Sequence, residues 1–437
     1  MAKTTLHGRE ALKLLGFPVP ATALGLIPSL LGQIGLRMLQ RWLPHRFAVT
    51  DAAERDRRVW ATQVLNRLTE IHIYSANALG CLDSGFRELN TVEPVGPTAE
   101  LGKAYAVMAV VLGTVPPLKA LARTWGTRAI AVTEAVPNAQ AALSYVLCRV
   151  GVAELYDASW ESAIDKLKRS ATAARAAGDR RLHEEAEDVL GNVYAYAGRF
   201  AEARERYALL RPMAKISGNQ QIHGWGHLGL SLIDLQQGLT ESARDEMLAI
   251  EAWLGNGASA SEILQARGQL ALAYLRLGDL QRASEVADLV LGNLEKPAVA
   301  YWAQPPLMAL SQVYLALWAH APADPARQAE AQRKAKIACT AFANFGKIFP
   351  FGQPGALVWG GKFAAQSGKV DQARKLWTRA IDLADQLQMP MEAAQARREY
   401  GLSLAATDPE RAVLLAEAVS RFEALGARWD RDQAAAA

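Results

Sequence analysis

The sequence of 437 residues contains only three cysteines, Cys81, Cys148 and Cys339, and they lie far apart without a CxxC pair. A disulfide framework or a zinc knuckle is therefore disfavoured, and the reducing cytoplasm is the expected location. The chain also lacks an excess of either charge, since 48 lysines and arginines accompany 44 aspartates and glutamates. This balance disfavours a dedicated nucleic-acid-binding protein, so we expect no nucleic-acid partner.

Motifs of catalysis are missing as well. There is no G-x-x-x-x-G-K-[ST] loop to hold phosphates, and no pair of aspartates in a strand context that would suggest a cyclase. Residues 224–229, GWGHLG, match G-x-G-x-x-G, but they fall inside an expected helix instead of following a strand. His223 and His227 are four residues apart, yet glycine follows His223 where a metalloprotease has glutamate. The sequence predicts a non-enzymatic protein without a metal or a cofactor.

Charge is absent from residues 14–36, LLGFPVPATALGLIPSLLGQIGL, a length that suits a membrane span. Three prolines and several glycines interrupt this stretch, and no partner helix is evident that would satisfy the freed backbone groups. We interpret it first as a packing segment of a soluble protein, second as a contact with a membrane interface and only third as a span.

What the sequence does contain is a repeat of 40 residues. Alanine recurs at positions 163, 203, 243 and 283, and small residues recur at 151, 191, 231 and 271. A turn position follows at Ala158, Gly198, Gly238 and Gly278. Each repeat predicts a helical hairpin, because glycine can end the first helix at positive φ while the small residues let the second helix approach closely.

This pattern of small residue, tyrosine, glycine, aromatic residue and alanine resembles the tetratricopeptide repeat in its longer, 40-residue form. Together with the preceding segments ALKLLGFPVP, HRF and RLTEIHIYSAN, it resembles the C-terminal half of large bacterial proteins. Those proteins join a nucleotide-cyclase domain, an AAA-type ATPase domain and a tetratricopeptide array. The resemblance implies a regulatory or sensor module, with a signalling ATPase or cyclase as a candidate partner.

The predicted fold is all-α, a tetratricopeptide-like right-handed superhelix of about eight helical hairpins after an N-terminal helical lead-in. The predicted segments are the lead-in at 1–97, regular repeats at 98–297, less regular helical repeats at 298–430 and a disordered tail at 431–437.

In tetratricopeptide arrays the first helix of each hairpin lines a concave face where partners bind, and the resemblance implies the same geometry here. The corresponding positions are Tyr145, Glu185, Asp188, Asn192, Trp225, Leu228, Leu232 and Gln265. Asp234 is added because a carboxylate replaces the usual tyrosine there, either paired with a nearby base or contacting a ligand. The acidic and apolar mixture favours an apolar or basic partner segment, although a place in the core is the first interpretation for Trp225 and the leucines.

The predicted function is that of an interaction scaffold or regulatory module that binds a protein or peptide in this groove. Two alternatives stay open. One is a small-molecule-sensing repeat domain of a signalling ATPase or cyclase system. The other is a peripheral membrane-associated adaptor that makes contact through residues 14–36.

Overall fold

The computed structural model describes residues 2–20, 22–75, 77–294, 300–321 and 323–436. Within these residues the secondary structure consists of α-helices and short 3-10 helices, without a β-strand. The predicted all-α fold of tetratricopeptide-like repeats is therefore confirmed. The predicted boundary between residues 297 and 298 lies outside the described residues.

The chain divides into two compact units. Unit 1 comprises Met1–Glu154 and Glu161–Ala186, and unit 2 comprises Leu155–Trp160 and Glu187–Ala437. This division falls within the repeats, so the segment boundaries predicted at 97 and 297 do not coincide with it and stay predictions.

The first ten helices carry the lead-in and the first hairpins. They are α1 (Ala2–Leu14), α2 (Ala23–Trp42), α3 (Pro44–Phe47), α4 (Ala52–Tyr74), α5 (Ala78–Val92), α6 (Ala99–Gly113), α7 (Lys119–Glu134), α8 (Gln140–Tyr156), α9 (Trp160–Ala176) and α10 (Arg180–Tyr196). Helices α8, α9 and α10 each contain residues of both units.

The later helices all belong to unit 2. They are α11 (Phe200–Ser217), α12 (Gln220–Gln237), α13 (Thr240–Ala249), α14 (Glu251–Asn256), α15 (Ala260–Arg276), α16 (Leu280–Asp288), α17 (Gln304–Ala319), α18 (Pro325–Ile348), α19 (Gln353–Gln366), α20 (Val370–Gln386), α21 (Pro390–Leu402), α22 (Pro409–Ala424) and α23 (Arg428–Ala435).

The turns between paired helices fall where the repeat predicts them. Gly198, Gly238 and Gly278 have φ angles of 74°, 80° and 83°, in the left-handed region that glycine adopts without a steric cost. Helices α11, α13 and α16 begin two residues after these glycines. Each glycine therefore ends the first helix of a hairpin and lets the chain reverse.

The small residues of the repeat allow the two helices of a hairpin to pack closely. Ser231 donates a hydrogen bond to the carbonyl oxygen of Ala243, twelve residues later in the second helix, at 3.1 Å. A Cβ atom added to Gly191 would lie only 2.7 Å from Cε1 of Tyr207, a fully buried ring. The space at this position is thus already filled by the neighbouring helix.

Residues far apart in the sequence also meet in the core of unit 2. The rings of Tyr196 and Phe351 stack with centroids 5.0 Å apart. Trp160 donates its Nε1 proton to the carbonyl oxygen of Leu387 at 2.7 Å. These contacts join the first hairpin residues of unit 2 to its later helices, so the unit is held together by more than neighbouring repeats.

Helix α23 places one buried carboxylate between two buried arginines. Asp430 is fully buried, and its Oδ1 accepts a hydrogen bond from Nη1 of Arg398 at 2.5 Å. Its Oδ2 lies 3.4 Å from Nη2 of Arg276, whose guanidinium is 4.2 Å from the ring centroid of Trp429. Burial lowers the pKa of Arg276, although the attraction of Asp430 opposes this shift.

The prediction of a disordered tail at 431–437 is wrong for residues 431–435, because these residues belong to α23. The alanine-rich composition suggested an unstructured end, but Asp430 and Ala434 are buried and fix this helix against the other helices of unit 2. Residue 437 lies outside the described residues.

The uncharged segment at residues 14–36 contains the end of α1 and the first two thirds of α2, with residue 21 outside the described residues. Among the helices that the structure describes, none combines the length and the apolar character needed to cross a bilayer.

We expect Gly191→Ala to destabilise the protein by about 1–2 kcal/mol, because the added methyl group overlaps the buried ring of Tyr207. Gly360→Ala is the matched control in α19, since no atom lies within 4 Å of the added Cβ there. This control should gain up to about 1 kcal/mol from the better helix propensity of alanine. Urea unfolding followed by circular dichroism measures both, and equal effects would contradict the proposed close packing.

We expect Asp430→Asn to destabilise unit 2 by about 3–5 kcal/mol, because two buried guanidinium groups lose their shared counter-charge. Asp432→Asn, two residues later on the same helix, removes an exposed carboxylate bonded to Arg431 and should change stability by less than about 0.5 kcal/mol. The unfolding free energy from urea titration provides the measurement. A similar loss in both variants would show that the buried charge network is not what fixes α23.

Candidate functional site

Unit 1 contains a cleft of about 910 Å³. One wall is formed by α1, and the other walls come from α4, α6, α8 and the start of α10, the first helices of successive hairpins. Helix α5 adds Glu88 to the lining. The apolar part of the lining comprises Ala11, Leu14, Leu15, Trp60, Val64, Leu68, Ile71, Ala141 and Leu182. A cleft of this size, mainly apolar with a few polar groups, has the form of a site for a ligand or a peptide segment.

Polar groups at the bottom of this cleft are connected by hydrogen bonds. Nδ2 of Asn66 donates to Oε1 of Glu88 at 3.1 Å and lies 3.3 Å from the hydroxyl oxygen of Tyr145. All three residues are buried and line the cleft. Burial raises the pKa of Tyr145, so the phenol stays protonated and acts as a hydrogen-bond partner.

Glu88 is fully buried, and no hydrogen bond from a described residue reaches its Oε2. Burial raises the pKa of Glu88 to about 8, with Glu70 adding to the rise and Asn66 and Lys103 opposing it. This burial favours the neutral, protonated form of the Glu88 carboxyl group.

An ionic network lies beside Asn66, Glu88 and Tyr145, which form the floor of the cleft. Arg149 donates from Nη1 to Oε1 of Glu185 at 2.5 Å, and its Nη2 lies 3.4 Å from Oε1 of Glu70. The same guanidinium lies 4.8 Å from the ring centroid of Tyr145. Burial alone would raise the pKa of Glu70, but Arg149, Arg67 and Arg181 outweigh it and lower the pKa. The network therefore holds the ring of Tyr145 in place through Arg149 and keeps Glu70 charged.

Of the predicted groove residues, Tyr145 and Glu185 lie in unit 1. Tyr145 lines the cleft, whereas Glu185 contributes through Arg149 and does not line it. Asn66, Glu70 and Glu88 are not among the residues predicted from the sequence. They lie on α4 and α5, before the 40-residue repeat begins, so the repeat positions offered no signal for them.

The other predicted groove residues belong to unit 2. Trp225 and Leu228 pack in an apolar cluster around Met247 and Ile250, and Trp225 donates from Nε1 to Oε1 of Glu262 at 2.7 Å. Leu232 is buried as well. This packing supports the core alternative for these three residues, and their role in a groove stays a prediction.

The polar members of the unit 2 set have partners within the unit. Nδ2 of Asn192 donates to the carbonyl oxygen of Asp188 at 2.9 Å, and Nε2 of Gln265 donates to the carbonyl oxygen of Trp302 at 2.7 Å. Asp234 is buried.

Two groups bind the Asp234 carboxylate: Arg204 donates to Oδ1 at 2.5 Å and Ser242 to Oδ2 at 2.6 Å. For Asp234, the structure therefore favours pairing with a base over contact with a ligand.

The two histidines noted in the sequence lie together on α12. Nε2 of His227 is 3.3 Å from Nε2 of His223, and Nδ1 of His227 is 2.5 Å from Oε2 of Glu246. Burial lowers the pKa of His223, and the nearby His227 and Arg211 lower it further. No group of three or more potential metal ligands occurs in the part of the chain that the structure describes. The two histidines lie within hydrogen-bond distance of each other, and His227 also contacts Glu246 of α13.

No protein-family model and no curated protein matches the chain by sequence. Solved structures show a likeness of fold. One is the Rap protein complexed with Competence and Sporulation Factor, which is 11% identical with a TM-score of 0.58 over 84% of this chain and 99% of that chain.

Two further structures have a TM-score of 0.49. The Rap conjugation gene regulator of the plasmid pLS20 in complex with the Phr* peptide is 12% identical and covers 77% of this chain and 98% of that chain. The apo form of the quorum sensor NprR from B. thuringiensis is 10% identical and covers 85% of this chain and 97% of that chain. At these identities the likeness concerns the helical-repeat fold, and the resemblance to cyclase and ATPase proteins stays a prediction.

We expect the difference in stability between Glu88→Gln and the wild type to depend on pH, because Glu88 is buried. The native pKa of about 8 lies above the unfolded value of 4.5. Protonation of Glu88 therefore stabilises the folded state fully below pH 4.5, and this stabilisation is lost as the pH rises through 8. The stability of the variant relative to the wild type should thus rise between pH 5 and 8, by on the order of 1 kcal/mol per pH unit.

Urea unfolding at several pH values measures this difference. Glu392 has a pKa raised to about 7 by burial, but it is present in both proteins and cancels in the comparison. Glu100→Gln removes a half-buried carboxylate from the same cleft and serves as the control. A pH-independent difference between Glu88→Gln and the wild type would contradict a neutral, buried Glu88.

Proposed function

We propose that the protein is a non-enzymatic regulatory or scaffold module that binds a peptide or protein segment in the cleft of unit 1. The observation that carries this proposal is the cleft itself, whose apolar walls surround the hydrogen-bonded floor of Asn66, Glu88 and Tyr145. Such a combination supplies apolar contact for affinity and a few fixed polar groups for specificity. The likeness of fold to a Rap protein solved with Competence and Sporulation Factor supports a role in which helical repeats receive a partner.

The charges around the cleft indicate what the segment should contain. Arg67, Lys103 and Arg181 line the cleft together with Glu100 and Asp179. This mixed rim around an apolar interior suits an amphipathic segment that carries apolar anchors and charges of both signs. A signalling ATPase or cyclase remains the proposed source of such a segment, on the resemblance alone.

The small-molecule alternative rests on the same cleft. Its volume of about 910 Å³ lies in the range of ligand pockets, and the accessible side chains of Gln63 and Lys103 offer polar contacts. A compound that carries a hydrogen-bonding group on an apolar frame would fit this arrangement.

Selection of a phage-displayed random peptide library on the full chain tests the main proposal. The enriched peptides, made synthetically, should bind the wild type in calorimetry. Ala141→Trp should weaken that binding at least about tenfold, because Ala141 is an exposed residue in the cleft wall and the indole fills the cleft. Ala201→Trp, on the exposed side of α11 in unit 2, adds the same side chain elsewhere and should leave binding unchanged.

The proposal fails if no peptide is enriched, or if the enriched peptides bind Ala141→Trp as tightly as the wild type. Small molecules that raise the melting temperature of the wild type but not of Ala141→Trp, in the absence of any peptide binder, would instead favour the sensor alternative.

A further inference from the structure

Helix α2 turns its polar side toward the protein. Ser29 donates to Asp83, and Nδ2 of Asn90 donates to Oε1 of Gln33 at 3.0 Å. One turn further on, Arg37 pairs with a carboxylate that follows α5. The residues at 29, 33 and 37 recur every four positions and therefore form one stripe along the helix. Hydrogen bonds and an ion pair, rather than apolar packing, hold this stripe against α5.

The opposite side of α2 is apolar and faces solvent. Its exposed large side chains are Leu24, Ile27, Leu31, Met38, Leu39 and Trp42. Leu24 is 88% exposed, Leu31 65% and Trp42 77%, values that exclude a place in the core. Between residues 24 and 39 every exposed residue of this helix is apolar or glycine. An amphipathic helix of a globular protein normally buries its apolar side. The opposite orientation of α2 leaves an apolar surface of the kind that a membrane or another protein covers.

The net positive charge of the chain comes from its first 50 residues. Residues 1–50 contain six lysines and arginines and one glutamate, a net charge of +5, whereas the rest of the chain carries −1. Arg41 and Arg46 are exposed where the apolar side ends, and Trp42 lies between them. An indole beside basic residues at the end of an apolar face is typical of helices that lie in a membrane interface.

We propose that α2 docks on the surface of an anionic lipid bilayer, with its axis in the plane of the interface. Protein interfaces generally carry hydrogen-bonding groups around their apolar centre, and the exposed side of α2 offers none between residues 24 and 39. Gly32 and Gly35 lie on the same exposed side and add no polar side chain to it. The apolar side chains would enter the acyl boundary while the basic residues face anionic headgroups. This docking is independent of the cleft and its ligand.

Flotation of the full chain with lipid vesicles tests the proposal. The wild type should float with vesicles of phosphatidylcholine and phosphatidylglycerol in a two-to-one ratio, and much less with phosphatidylcholine alone. Leu31→Glu with Met38→Glu should lower the partition coefficient at least about tenfold, because two apolar contacts are lost and two negative charges are added. Both positions are solvent-exposed, so the folded state should tolerate the change.

Ile216→Glu with Leu289→Glu is the matched control, since both positions are exposed apolar residues of unit 2 and the charge change is the same. It should float like the wild type. In a second arm, Arg41→Gln with Arg46→Gln should weaken flotation with the anionic vesicles and leave the weak flotation with phosphatidylcholine unchanged.

Absence of flotation in the wild type, or equal flotation of the Leu31→Glu/Met38→Glu variant, would overturn the proposal. Sedimentation in the absence of lipid provides the other decisive result. A wild-type dimer that becomes monomeric in the Leu31→Glu/Met38→Glu variant, without vesicle binding by either, would assign the apolar side to a second copy of the chain.

Discussion

The close approach of the two helices in each hairpin is the constraint on which the repeats of this protein depend. Ala163, Ala203, Ala243, Ala283 and Ala373 are all fully buried at the same place in the second helix. A larger side chain there, or on the facing small residue, would separate the helix axes and expose the apolar side chains on both. The recurrence of alanine at this place is therefore the consequence of a packing requirement in each of these hairpins.

Buried charged groups specify which helices lie together where apolar packing alone would not. In unit 1, Arg149 joins Glu70 to Glu185 behind the floor of the cleft, and in unit 2 Asp430 joins Arg276 to Arg398. Buried ion pairs add little net stability, but breaking one leaves an uncompensated charge in a medium of low polarity. We infer that these networks contribute mainly by fixing which helices lie together.

The hairpins could be predicted from the sequence because their determinants are local. Gly198, Gly238 and Gly278 lie at turns, and the alanines that follow them lie in buried helix contacts, both at the predicted positions. The cleft of unit 1 could not be predicted in this way. It brings Asn66, Glu88 and Tyr145 together from three helices, two of which precede the repeat, and residue spacing carries no information about such a meeting.

The sequence could not decide between a groove and the core for the predicted groove residues, for a related reason. A first-helix position such as Trp225 was expected to face either a partner or the core, and the choice depends on the neighbouring Trp253 and Ile250. Likewise, the absence of charge at residues 14–36 did not reveal which side of α2 would face the protein. That orientation follows from the polar partners Asp83 and Asn90 on α5.

The position of α23 has a consequence for biosynthesis. Trp429 lies against Gly238, and Asp430 neutralises Arg276, so these residues of unit 2 acquire their final surroundings from residues translated more than 150 codons later. Hairpins can form as the nascent chain leaves the ribosome, since their contacts are local. We infer that unit 2 closes only after residue 430 has been translated, because the counter-charge of the buried Arg276 is missing before then.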